Sequence, residues 1–103
     1  MAKQYSRQEV LERLKKTNNE GKPVVIAGAG TGISGKFAEQ GGADLIGVYN
    51  SGLYRMDGKG SLAGLMPYGD ANQIVIDLAN RVMPVVDQVP MIAGICGTDP
   101  TRE

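Results

Sequence analysis

The chain has 103 residues, 42% of them hydrophobic, which suits one small globular domain and argues against disorder. Its 11 basic and 11 acidic residues cancel, leaving no electrostatic case for nucleic acid or an anionic membrane as partner. A single Cys and no His exclude an internal disulfide and a zinc site built from His and Cys.

The first residues, Met-Ala-Lys-Gln-Tyr-Ser-Arg, lack an apolar signal core. No run approaches the roughly 20 apolar residues of a membrane span. A cytoplasmic protein is expected. Residues 1–22 read as an N-terminal helical extension to one partial domain that occupies 1–103. Within it, 6–17 is predicted helical. Ser6 and Glu9 form a capping box, with Tyr5 and Val10 at the staple positions. Val10, Leu11 and Leu14 make a narrow apolar stripe, as for an outer helix covering one end of a sheet. Asn18, Asn19 and Gly21 end it.

The apolar, β-branched run from Val24 to Ala27 predicts a buried strand. It breaks into Gly28, Gly30 and Gly32, and a helix is predicted from Gly32 or Ser34 with Phe37 and Ala38 turned inward. Glycines permit positive φ and close approach to a ligand, and a helix starting there aims its free N–H groups at the turn. This is the shape of an anion site; a tight turn that merely needs glycine is the alternative. Two nucleotide motifs fail. The third glycine of G-x-G-x-x-G would fall at Ile33, and Tyr49-Asn50 stands where an acidic residue should close the second strand. Gly30, Gly35 and Lys36 have P-loop spacing, but Phe37 occupies the Ser/Thr position.

Gly41 and Gly42 stop that helix, and Asp44–Tyr49 predicts a second strand apolar enough to be covered on both faces. Two strands joined through a helix make a right-handed parallel βαβ unit. Residues 50–69 show no steady period and read as a long functional connection without structure of its own. At its start, Tyr49, Asn50 and Ser51 with Arg55 leave the C-terminal end of a strand, where parallel α/β folds bind ligands. Asn and Ser can orient a carbonyl or carboxylate, and Arg can grip a carboxylate or phosphate. An ordinary turn with a solvated Arg55 is equally open. Asp57 and Lys59 are further acid–base candidates in the same connection.

Asp70 and Gln73 mark another helix start, followed by Ile74, Val75, Leu78, Ala79 and Val82 at helical spacing, with Pro84 kinking or ending it. Val89–Cys96 predicts the third strand. Gly97-Thr98-Asp99-Pro100 reads as the next strand-to-helix turn, with Asp99 a base, a metal ligand or, as favoured, a helix cap. Cys96 has no His to activate it. The expected class is therefore α/β with parallel βα units, either a small open domain or the first three strands of a (β/α)8 barrel. The stop after a third Gly-rich turn favours the barrel reading.

Four stretches carry a resemblance: Gly28-Ala-Gly-Thr-Gly-Ile-Ser34; Gly42-Ala-Asp-Leu-Ile46 with Val48-Tyr-Asn-Ser-Gly-Leu-Tyr-Arg-Met56; Gly58-Lys-Gly-Ser-Leu-Ala-Gly-Leu-Met-Pro-Tyr-Gly-Asp-Ala-Asn72; and Ala93-Gly-Ile-Cys-Gly-Thr-Asp-Pro100. Together they resemble the phosphoenolpyruvate hydrolase-like family, also described as TIM-barrel signal-transduction proteins. The resemblance implies the first three strands of a TIM barrel with the remainder missing. It also implies an enzyme acting on a small phosphorylated or carboxylated 2-oxo-acid-like compound at the C-terminal face, as a hydrolase or lyase. In that reading Gly28, Gly30 and Thr31 supply donors, and Tyr49, Asn50, Ser51 and Arg55 orient and neutralise the ligand. Thr98 and Asp99 line the third edge, and Asp99 and Arg55 are the catalytic candidates. A small anionic molecule is the expected partner, no residue is assigned to a metal, and the full-length form is expected to be a homo-oligomer. A non-catalytic signalling or regulatory barrel is the alternative. Weak or no catalysis is expected of the 103 residues alone.

Overall fold

A computed structural model describes residues 2–97. The predicted turn residues Thr98 and Asp99 lie outside the described residues. Helix α1 spans Arg7–Asn19 and begins with the predicted capping box: the Glu9 amide donates to Ser6 Oγ at 3.1 Å, and the Glu9 carboxylate accepts from the Ser6 amide at 3.3 Å. Its apolar stripe is only half-buried. Leu14 and Thr17 line a hollow with Asp44 and Pro90, so α1 lies across the N-terminal ends of the later strands.

Strands β1 (Ile26–Gly28), β2 (Leu45–Val48) and β3 (Met91–Ala93) form one parallel sheet in the order β1-β2-β3. The register pairs Gly28 with Gly47 and Val48 with Ala93. Helix α2 (Gly32–Gln40) connects the first two strands, as expected. The second crossover is richer than its sequence pattern. Helix α3 (Asn50–Met56) and a 3-10 turn at Ser61–Leu65 occupy the stretch read as structureless, followed by α4 (Ala71–Val82) and a second 3-10 turn at Met83–Val85. Helices of one or two turns escape a search for apolar period, because no single face repeats often enough. The loop between them is anchored by rings: Tyr54 meets Tyr68 edge-on at 5.6 Å, and Lys59 sits 5.5 Å over the Tyr68 ring.

The core lies between the sheet and the helices α2 and α4. Ile46 and Val48 project to that side and are fully buried with Leu78, Val82 and Val86. Alternation along β2 sends Gly47 to the other face, where Ile26 and Ile92 flank it. Ile26 is 56% exposed and Ile92 48% exposed, which corrects the expectation of a buried first strand. As edges, β1 and β3 each have a neighbour on one side only, so their apolar residues stay open. Strand β2, central in the sheet, is buried along its whole length, as its sequence predicts.

Two local expectations also change. Phe37 is 56% exposed, not inward. The inward position of α2 is Gly35, where an added Cβ would stand 2.7 Å from Val82 Cγ1, so α2 and α4 meet too closely there for a side chain. The third strand, Met91–Ala93, is shorter than Val89–Cys96; at its start Pro90 has no N–H to give the ladder, though its C=O accepts from the Ile46 amide at 3.1 Å. One rung continues past its end, with the Gly94 amide on Val48 O at 2.8 Å.

Glu39 closes the turn before β3. Its carboxylate accepts from the amides of Asp87 (2.9 Å), Gln88 (2.8 Å) and Val89 (3.0 Å). Burial alone would raise this carboxyl, but the three amides outweigh it and hold the pKa below the ordinary value.

Candidate functional site

The C-terminal ends of β2 and β3 open onto a shallow concavity of about 280 Å³. It is lined by Tyr49, Asn50 and Ser51, by Ser61, Gly64 and Leu65 of the first 3-10 turn, and by Gly94, Ile95 and Cys96 after β3. One wall follows from chain order: the residue after β2 caps α3, so Asn50 and Ser51 sit in its first turn. Asn50 Nδ2 donates to Gly64 O at 2.8 Å and ties the 3-10 turn to that wall. Gly64 is needed there, because a Cβ would come within 2.9 Å of Ser51 Cβ. Arg55, on the last turn of α3, does not line the concavity. Its guanidinium donates to Ser61 Oγ, which does, so a cation stands one residue behind the rim.

Thus the structure brings Tyr49, Asn50 and Ser51 together and sets Arg55 beside them. The Gly-rich turn stands apart. Gly28, Gly30 and Thr31 do not line the concavity. None of Gly28, Gly30 and Gly32 has positive φ. Their role in this structure is close packing. A Cβ on Gly28 would overlap the Tyr49 phenol, and one on Gly30 would overlap Gly52 O. Thr31 is the N-cap of α2: its Oγ1 accepts from the Ser34 amide at 3.2 Å. The tight-turn alternative accounts for these contacts.

The sequence reading missed Ser61, Gly64 and Leu65 as lining residues, and it missed Asn72. Asn72, in the first turn of α4, accepts from the Cys96 amide at 2.9 Å and donates to Cys96 O at 3.2 Å. The first three lie in the Gly58–Asn72 stretch that carries the family resemblance, but nothing local marks an Asn that works 24 residues away. Among the described residues, no three Cys, Asp or Glu side chains gather closely enough to hold a metal ion, and no helix is long and apolar enough to cross a membrane.

The chain is 59% identical over 93 residues to the ToMV resistance protein Tm-1(GCR237) of Solanum lycopersicum, which covers 90% of this chain and 12% of that protein. The ToMV susceptible protein tm-1(GCR26) of the same plant matches equally. A provisionally named transcriptional regulatory protein, y4pA of Sinorhizobium fredii (strain NBRC 101917 / NGR234), is 34% identical over 100 residues, covering 93% of this chain and 16% of that one. The chain thus spans a small fraction of the length of the curated relatives it matches. The family model described as phosphoenolpyruvate hydrolase-like matches residues 9–103, nearly the whole length, and the chain belongs to that family.

Proposed function

We propose that these residues form the first three βα units of a (β/α)8 barrel whose C-terminal face takes a small phosphorylated or carboxylated 2-oxo-acid-like compound. The observation that carries the reading is convergence. Asn50, Ser51 and Ser61, with Arg55 behind them, meet the loop after β3 at the C-terminal ends of parallel strands. In barrels that end holds the active site, and catalytic groups come from several strand ends. Hydroxyls and a carboxamide orient a carboxylate or phosphate, and a guanidinium supplies the charge. Asp99 and Thr98, next along the chain, are the acid–base and binding candidates of the third strand end. Hydrolysis or lysis of the bound acid is the chemistry the family's name suggests.

The test is calorimetric titration of the full-length protein with phosphoenolpyruvate. Arg55→Ala is expected to weaken binding by about 1.5–3 kcal/mol, the worth of a charge-assisted hydrogen bond. Unchanged affinity removes Arg55 from the site.

A second reading, a regulatory barrel that binds without turnover, is favoured by one observation. The α3–α4 connection presents Leu62, Leu65, Met66 and Tyr68 to solvent at 44–68% exposure. Aromatic residues and Met are enriched where proteins meet. Binding of phosphoenolpyruvate with no product formed by the full-length protein would favour this reading over catalysis.

A further inference from the structure

We infer that Asn72 is a positioning residue for the third wall of the concavity: its carboxamide sets where the chain from Gly94 to Gly97 lies. The inference rests on the reading of the concavity as a ligand site, but its geometry is independent of any ligand. Both backbone groups of Cys96 are paired to one side chain, the N–H to Oδ1 at 2.9 Å and the C=O to Nδ2 at 3.2 Å. This is the two-way exchange that an antiparallel strand makes with a hydrogen-bonded partner residue. Asn72 thereby holds the backbone past β3, where no strand continues among the described residues.

The segment has little else to hold it. Gly94 is tied through its amide to Val48 O at 2.8 Å. Ile95 is 79% exposed, and a side chain at Gly97 would meet nothing within 4 Å. Gly94 is held close against Tyr49, where an added Cβ would stand 3.2 Å from Tyr49 Cβ, but beyond it packing does little to fix the path. The support beneath Asn72 is firm by contrast. The Gln73 amide donates to Asp70 Oδ1 at 3.1 Å at the start of α4, and Ala71 and Val75 on either side are buried. A group held on a rigid helix positions a loop better than the loop positions itself. The residue type is also selective. A carboxamide donates and accepts, a carboxylate only accepts, and an alanine does neither.

Amide hydrogen exchange by NMR on the full chain tests this, with inorganic phosphate as the ligand probe. In Asn72→Ala, exchange at Cys96 is expected to accelerate roughly tenfold to a hundredfold as local opening loses its two bonds. Exchange at Ile46 and Val48 should not change. Asn72→Asp keeps the acceptor for the Cys96 N–H but sets a carboxylate oxygen against the Cys96 C=O, so it should restore only part of the protection there. Phosphate-induced shifts at Ser51 and Ser61 should shrink in the alanine variant. Unchanged exchange at Cys96 in a folded Asn72→Ala protein overturns the inference. So does equal acceleration at Ile46, Val48 and Cys96, which would make Asn72 a general stabiliser. Should the alanine variant not fold, the wild-type chain decides: a scalar coupling across the hydrogen bond from the Cys96 nitrogen to the Asn72 side-chain carbonyl supports the pairing, and its absence overturns it. Absence of any phosphate shift in the wild-type chain counts against the ligand site and leaves the exchange result to judge Asn72 alone.

Discussion

Replacing Glu39 with glutamine removes the charge from a carboxylate that faces three successive backbone amides. A neutral carboxamide offers one acceptor oxygen and turns an NH2 group toward the others. Asp87 and Gln88 are exposed, so their amides can turn to water. Val89 is 8% exposed and cannot. Losing charge assistance and stranding part of that amide cluster costs about 1.5–3 kcal/mol. In a domain of this size the melting temperature falls by about 4–8 °C for each kcal/mol. The sign of the pH dependence follows from the depressed carboxyl. Relative to an ordinary value of 4.5, its folded pKa is lowered, so the stabilisation is fully present above 4.5 and fades as pH falls through the folded pKa. Urea unfolding of both proteins at pH 7, and in steps down through 4.5, should therefore show a gap that is widest at neutral pH and closes in acid. A gap that is constant with pH, or that widens in acid, refutes the reasoning.

Leu78→Ala, at a side chain only 2% exposed between α4 and the sheet, should cost about 2–5 kcal/mol in urea unfolding, with the value set by how far Ile46, Val48 and Val82 relax into the space. Gly64→Ala puts a methyl 2.9 Å from Ser51 Cβ. It should destabilise by about 1–3 kcal/mol and displace the 3-10 turn, read as changed amide shifts at Ser51 and Ser61 with those of β3 unmoved. Wild-type stability with unmoved shifts would mean that the turn has room the structure does not show.

Much of the fold was legible because it depends on local chemistry. The Ser6–Glu9 box, the Asp70 cap and the apolar period of α4 are decided by neighbours three and four residues apart, and the structure repeats them. Helix α3 and the 3-10 turns were not legible, since helices of one or two turns carry no apolar period and are held by contacts such as Asn50 to Gly64.

The candidate site divides in the same way. That Asn50, Ser51 and Arg55 stand at a strand's C-terminal end follows from the order of elements along the chain. The role of the glycines did not follow, because Gly28 and Gly30 answer to Tyr49 and Gly52, some 20 residues away in sequence. Neither did Asn72, whose partner is set by the fold. From the sequence alone came the parallel α/β class, the alternation of elements and the stretch that leaves the C-terminal end of the second strand, since propensity and periodicity are local properties. Only the tertiary structure decided which glycines are spacers, which polar side chains are struts and which line the concavity. Those roles depend on distances between segments that no local pattern encodes.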